Sequence, residues 1–176
     1  TLMNKALEII EAYHLFKLRS DQIETVIHPQ SIVHSLVEFI DSSFIAQLSW
    51  PDMKIPILYS LTYPERNHFP NRNLDLGELK KLEFYPVDIE KFSSIKMAYL
   101  VLEKGKNAGA VFNAANEVAA DFFLKGKITF DEIFEVVENI MGGENFFPIR
   151  TIEDLNQTIE ETKQKTIKYI QRRLSK

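Results

Sequence analysis

The chain has 176 residues, of which 45% are hydrophobic and 26% are charged, a composition that supports a packed core and excludes a disordered protein. Its net charge of −4 argues against a nucleic-acid-binding protein, and no apolar run approaches the roughly 20 residues that cross a bilayer, so we expect neither nucleic acid nor a membrane among its partners. The absence of Cys excludes disulfides and thiolate metal sites and is compatible with a reducing cytoplasm, where we expect the protein to act.

The first third of the chain predicts a mixture of helix and strand. Residues 2–18 carry apolar side chains at helical spacing, with Thr1 as the candidate N-cap. Short β-branched and aromatic runs predict strands at 23–28, 32–40 and 44–50, the last two forming a hairpin. A helix is then expected to begin near Pro51 and to end before Pro64.

The remainder of the chain divides into an arm and a helical region. Residues 64–92 are rich in Pro, Asn and His and show little periodicity apart from a short strand expected near 82–85. Four helices follow, at about 93–103, 107–125, 129–141 and 151–176. The last two open with the capping-box residues Thr129 and Glu132, and Thr151 and Asp154. The sequence therefore predicts an α+β fold that ends in a bundle of about four helices.

The opening helix carries a candidate binding face. Asn4 and Glu8 are four residues apart and Lys5 and Glu8 are three apart, so the three side chains can share one face near the helix N-terminus. Free N–H groups and the helix dipole favour a phosphate at that end, and Glu8 could hold a divalent cation or a hydroxyl. The same spacing is typical of an ordinary surface ion pair, which occurs in most helices, so spacing alone favours that interpretation and leaves the binding site as the alternative.

Other polar patterns compete as candidate sites. The pairs Glu11 with His14 and Glu65 with His68 have the Glu-x-x-His spacing of di-iron bundles, but the second pair lies in the arm rather than in a bundle helix. His28 and His34 would face the same side of a continuous strand, but Pro29 interrupts it, so both are interpreted as histidines that hydrogen-bond near strand ends. No Gly-x-Gly-x-x-Gly fingerprint for a dinucleotide occurs in the sequence.

The order of several short segments resembles one enzyme family. The segments are MNKALE, IHPQSIVH, PDMKIPI and NAANE, at residues 3–8, 27–34, 51–57 and 113–117. In this order and spacing they are similar to the C-terminal part of the 1-deoxy-D-xylulose 5-phosphate reductoisomerases. Two departures are Ala6, where Gly is frequent, and Trp50 before the Pro-Asp-Met triplet.

The resemblance implies a reaction and its cofactors. The family rearranges 1-deoxy-D-xylulose 5-phosphate, a sugar phosphate, and reduces the product to 2-C-methyl-D-erythritol 4-phosphate in non-mevalonate isoprenoid biosynthesis. It uses NADPH and Mg²⁺, Mn²⁺ or Co²⁺, and it is homodimeric. By the motif, Asn4, Lys5 and Glu8 match substrate-binding residues, with Glu8 also a metal ligand and Lys5 and Glu8 counted as catalytic. His34 matches a catalytic-site histidine, and Met53 a residue close to the nicotinamide.

The resemblance also implies that this chain is a piece of a longer enzyme. Residues 1–62 are expected to complete a catalytic domain, 63–88 to form a connecting arm, and 89–176 to form a C-terminal helical domain. The dinucleotide domain and the other metal ligands would precede Thr1, so we expect the isolated chain to lack both cofactors and to be inactive. The alternative is an independent helical metal-binding or interaction protein.

Overall fold

The computed structural model describes residues 2–70 and 72–175, which form two compact units. The first unit joins the residues up to Glu24 with those from Asp88 onward, and the second is Thr25–Val87. The candidate N-cap Thr1 lies outside the described residues, and the first helix, which begins at Met3, is preceded by Leu2 in a left-handed conformation.

The first unit is helical. Its helices are α1 (Met3–Phe16), α4 (Ser93–Lys104), α5 (Ala108–Leu124), α6 (Phe130–Gly142) and α7 (Ile152–Leu174), with a 3₁₀ turn at Ser20–Gln22. The long α5 is the centre of this unit because it packs against α4, α6 and α7, while α1 packs mainly on α4. Small buried residues on α5, Ala108, Ala114, Ala115 and Ala119, allow its neighbours to approach closely.

The start of each of the last two helices follows the sequence prediction. At α6, Thr129 and Glu132 form the capping box, and at α7 the same roles are taken by Thr151 and Asp154. These side chains satisfy backbone N–H groups that have no partner within the helix.

The second unit contains the hairpin and the arm. Its elements are β1 (Val26–Ile27), β2 (Val33–Glu38), β3 (Phe44–Leu48), α2 (Lys54–Thr62), α3 (Leu76–Leu79) and β4 (Tyr85–Pro86). Strands β2 and β3 pair antiparallel, with Leu36 opposite Ala46, which confirms the predicted hairpin. Strand β4 pairs antiparallel with β1, so the end of the arm returns to the start of the unit.

The observed architecture confirms the α+β class, with a C-terminal bundle of four helices, α4 to α7. The elements of the arm differ from expectation: β4 begins at Tyr85 rather than near residue 82, and the short helix α3 was not predicted. Within the described part of the chain, no helix is long and apolar enough to span a membrane.

Candidate functional site

Helix α1 has a buried face and a solvent face. Its apolar residues Met3, Ala6, Ile9 and Ile10 are buried at the α4 and α5 side of the helix. Asn4 and Glu8 are exposed, and Lys5 is partly exposed. One helical turn thus presents an amide, an ammonium and a carboxylate away from the core, as the spacing predicted.

Lys5 and Glu8 form an ion pair across this turn. Their side chains retain 43% and 56% of their exposure, so both groups remain accessible to a ligand. An exposed pair of this kind contributes little to stability, typically about 0.2–0.5 kcal/mol. The ion pair is therefore compatible with ligand binding. An anion could bind Lys5 and a cation could bind Glu8 with little loss of folding free energy, because the pair that they would break is weak.

The N-terminal end of α1 lies beside these side chains. Among the described residues no side chain caps this helix, whose first turn also contains no acidic residue. The first N–H groups of a helix have no intrahelical acceptor, and the dipole makes this end positive. An anionic group could therefore be bound here by backbone and Lys5 together.

The residues around Glu8 do not by themselves form a divalent metal site. In the two described ranges, no group of three or more His, Asp and Glu side chains lies close enough to share an ion. Mg²⁺ requires octahedral oxygen ligation, which one carboxylate does not provide. Glu8 can therefore supply at most one ligand of a larger set.

The di-iron arrangement is likewise not formed. Helix α2 ends at Thr62, and Glu65 and His68 follow it outside any helix or strand. The Glu-x-x-His spacing brings two ligands together only on a helix, so this pair lacks the geometry that the pattern requires.

His34 and Met53 belong to the second unit. His34 lies on β2, and its Nε2 is 3.0 Å from Ser49 Oγ and 3.2 Å from the Ser49 carbonyl oxygen. Met53 directly precedes α2 and its side chain is 71% exposed. Both therefore adjoin residues 49–53, which we call the 49–53 loop. Sequence reasoning did not single out Ser49, because its partner is 15 residues away on another strand.

His28 is fixed by contacts with the arm. Its Nδ1 donates to the Glu83 carbonyl oxygen at 2.8 Å, and its ring stacks on Phe84 with centroids 4.7 Å apart. Gln30 contacts the same residue, donating from Nε2 to Glu83 Oε2 at 2.9 Å. The expected hydrogen bond of His28 is thus present at Nδ1, whereas its Nε2 is buried with no partner among the described residues.

Together, the hairpin unit and the C-terminal four-helix bundle place this chain in the class of α+β proteins with a C-terminal helical domain. The family model of the DXP reductoisomerase C-terminal domain matches residues 48–165. The chain belongs to this family, which confirms the resemblance found in the sequence.

Individual relatives agree with this assignment. The 1-deoxy-D-xylulose 5-phosphate reductoisomerase of Chloroherpeton thalassium is 51% identical over 155 residues, covering 88% of this chain. The solved reductoisomerase of Zymomonas mobilis in complex with NADPH superimposes with a TM-score of 0.89 at 36% identity, over 96% of this chain. A reductoisomerase solved with NADPH, fosmidomycin and magnesium gives a TM-score of 0.87 at 38% identity, over 97% of this chain.

These relatives are longer proteins. The aligned part covers 40% of the Chloroherpeton protein, and 45% and 44% of the two solved chains. The chain therefore spans less than half the length of the proteins that it matches.

Proposed function

We propose that this chain is the C-terminal part of a 1-deoxy-D-xylulose 5-phosphate reductoisomerase. The complete enzyme would rearrange its sugar-phosphate substrate and reduce the product with NADPH to 2-C-methyl-D-erythritol 4-phosphate, in non-mevalonate isoprenoid biosynthesis. The match to the family model over residues 48–165 carries the proposal. The polar face of α1 supports it, because Asn4, Lys5 and Glu8 are the side chains that the MNKALE segment would present to a phosphorylated substrate.

Each residue has a role in this proposal. Asn4 and Lys5 donate to the substrate, with the N-terminal end of α1 favouring its negative charge. Glu8 binds a substrate hydroxyl or supplies one ligand to a divalent cation, which would be Mg²⁺, Mn²⁺ or Co²⁺. The remaining ligands of that cation would come from elsewhere in the longer protein. When bound, such a cation stabilises negative charge on substrate oxygens. In the longer protein, Met53 would lie close to the nicotinamide, and His34 would be a residue of the catalytic machinery.

The proposal extends to domain organisation and assembly. Residues 1–62 would complete the catalytic domain, 63–88 would form the connecting arm, and 89–176 the C-terminal helical domain. The enzyme would act in the cytoplasm as a homodimer, without nucleic-acid or membrane partners. The apolar side chains exposed on the β2–β3 hairpin support the dimer.

A paired activity assay tests the proposal. The purified chain and a full-length reductoisomerase that contains it are assayed for substrate-dependent NADPH oxidation with Mg²⁺ present. We expect turnover by the full-length protein and none by the chain alone. Turnover by the chain itself would contradict the assignment as a part, and an inactive but folded full-length protein would contradict the assigned reaction.

A further inference from the structure

A series of hydrogen bonds, in which His34 donates to Ser49 and Ser49 donates to Trp50, connects β2 to the 49–53 loop. A carbonyl oxygen can only accept, so His34 donates from Nε2 to the Ser49 carbonyl oxygen, which is 3.2 Å away. The same Nε2 lies 3.0 Å from Ser49 Oγ. The Ser49 hydroxyl then donates to the Trp50 carbonyl oxygen at 3.0 Å. The imidazole thus holds the loop through one serine that it contacts at both the side chain and the backbone.

The indole of Trp50 is held on its edge and on its face by the arm. Its Nε1 donates to the carbonyl oxygen of Asn73 at 3.3 Å. The guanidinium of Arg72 lies 5.3 Å from the ring centroid, within the range of a cation–π contact, and also pairs with Glu78 at 2.5 Å. Trp50, which departs from the family pattern, is therefore the point where the loop is anchored to the arm.

The far end of the loop is also fixed. The Asp52 N–H donates to the Trp50 carbonyl oxygen at 2.7 Å, and Asp52 Oδ1 accepts from the Lys54 N–H at 2.9 Å. Met53 lies between these two contacts and begins the turn into α2. Its backbone is thereby held while its side chain stays exposed.

We propose that His34 is a positioning residue that acts through Ser49 and Trp50 to fix the loop carrying Met53. Its Nε2 proton is engaged by Ser49, so the ring orients the loop rather than exchanging a proton with the substrate. Trp50 completes the arrangement by anchoring the loop to Arg72 and Asn73. The consequence for nicotinamide binding through Met53 rests on the proposed function, whereas the consequence for loop order does not.

The single tryptophan of the chain makes loop order directly measurable. In the purified chain, acrylamide quenching and time-resolved anisotropy of Trp50 report on the loop alone. We expect His34→Leu and Ser49→Ala to increase the quenching constant and to add a fast depolarisation component, because a released side chain reorients in picoseconds to nanoseconds. His34→Gln, whose amide can donate from nearly the position of Nε2, should restore both values toward those of the original chain.

Two substitutions serve as matched controls, and the far-UV circular dichroism of every variant is measured. Ser35→Ala changes an exposed serine on the same strand, and His14→Leu changes an exposed histidine on α1. Neither should alter the Trp50 signals. If His34→Leu does not fold, Ser49→Ala still decides the question. Trp50 signals unchanged by Ser49→Ala, or changed equally by Ser35→Ala, would overturn the positioning role.

A kinetic measurement in the full-length reductoisomerase tests the consequence for the cofactor. We expect Ser49→Ala and His34→Leu to raise KM for NADPH more than KM for the sugar phosphate, and His34→Gln to recover most of the loss. A loss confined to kcat that glutamine does not recover would show His34 to be a proton donor and would overturn the proposal. An inactive unsubstituted enzyme would instead contradict the proposed function and leave the fluorescence result standing.

Discussion

Glu8 and Glu11 are carboxylates on the exposed side of the same helix, and their surroundings differ. Glu8 lies one turn from the start of α1 and pairs with Lys5, whereas Glu11 lies a further three residues along, away from the positive end of the helix. An anionic ligand is favoured at the N-terminal end of α1, and Glu8 lies closer to that end than Glu11 does.

This difference predicts a large contrast between two substitutions in the full-length enzyme. Glu8→Gln keeps the size of the side chain and removes its charge, and we expect kcat/KM to fall about 100-fold or more, the scale for losing one charge-stabilising group. Glu11→Gln, the matched control, should change activity less than about threefold, as expected for a surface position. Steady-state kinetics at saturating Mg²⁺ measures both, and similar losses in the two variants would refute the role of Glu8.

Asn107 shows how one buried side chain can hold a loop. It is 2% exposed, and its Oδ1 accepts from the Phe147 N–H at 3.0 Å while its own N–H donates to the Phe147 carbonyl at 3.1 Å. The segment before α7 is thereby attached to the start of α5. Asn107 is therefore a structural residue, because its side-chain Oδ1 accepts the hydrogen bond of the Phe147 N–H in place of a backbone carbonyl oxygen.

Asn107→Ala should destabilise the first unit. The substitution leaves a partly buried N–H without its acceptor, which costs about 1–3 kcal/mol. Urea unfolding followed by circular dichroism at 222 nm measures the change in the free energy of unfolding. Asn113→Ala, at an exposed position of α5, is the control and should change that free energy by less than about 0.5 kcal/mol. Equal stability of the two variants would contradict the role of the Asn107 amide.

Residues whose partners lie close in the chain are predictable from the sequence, and residues whose partners are distant are not. The capping pairs Thr129–Glu132 and Thr151–Asp154 act over three residues, so their pattern is visible in the chain. Asn107 and Phe147 are 40 residues apart, and no local sequence pattern predicts their contact. The roles proposed for Asn4, Lys5 and Glu8 depend on the family resemblance, since their spacing alone also fits a surface ion pair.

Helices α6 and α7 are connected at one end by ion pairs. Arg173, near the end of α7, contacts Glu132 at 3.0 Å and Glu135 at 3.2 Å on α6. The backbone N–H of Thr129 and, to a smaller degree, the charge of Arg173 lower the pKa of Glu132 below its usual 4.5. The backbone N–H groups of Arg150 and Thr151 lower the pKa of Asp154 below its usual 3.8.

These depressed pKa values predict an acid-sensitive bundle. A carboxyl group with a lower pKa in the folded state binds its proton more weakly there than in the unfolded chain, so it stabilises the fold when ionised. The contribution is complete above the unfolded pKa values and should be lost progressively as the pH falls from about 5 to about 3 and below. The urea midpoint, followed by circular dichroism across this range, should fall accordingly.

A pair of variants isolates the contribution of Glu132. Glu132→Gln should lower the urea midpoint at pH 7 and reduce its fall on acidification, because one of the responsible groups no longer titrates. Glu138→Gln, at an exposed position of the same helix, should leave both the midpoint and its pH dependence nearly unchanged. A Glu132→Gln variant with the full acid sensitivity of the original chain would refute this account.

The helices of the bundle were predicted within a few residues, whereas the pairing of β1 with β4 was not. Amphipathic periodicity and caps are properties of a continuous segment, so they locate α5, α6 and α7. Val26 pairs with Pro86 across 60 residues, and each strand contains only two residues, too few for an alternating pattern. The sequence predicts an arm with little regular structure, whereas the structure shows α3 and β4 within it, and the return of the arm to β1 depends on tertiary contacts.

For the whole molecule, the hairpin is the surface most suited to assembly. Strands β2 and β3 pair only with each other within the described ranges, so each has an open edge. Large apolar side chains are exposed along the hairpin and its turn: Leu36, Val37, Phe39, Ile40, Phe44 and Ile45. Contiguous exposed apolar surface of this kind marks an interface.

We therefore expect the chain to dimerise through the hairpin, with most contacts between the two copies within residues 1–62. Light scattering at tens of micromolar should give twice the mass of one chain, and Val37→Lys should reduce it to the monomer value. Leu124→Lys, at an exposed apolar position on α5, is the control and should leave the dimer intact. A monomeric original chain, or dissociation by Leu124→Lys alone, would contradict the expected interface.

The pairing of β1 with β4 has a consequence for engineering. The chain enters the second unit at Thr25 and leaves it at Val87, and these two points are neighbours because Val26 lies opposite Pro86. A segment whose two ends lie close together can be removed or replaced with little change to the structure of the rest of the chain. A short linker from Glu24 to Asp88 would therefore yield a stand-alone helical scaffold of α1 and α4 to α7. The same junction would accept an unrelated domain with adjacent termini as a replaceable cassette.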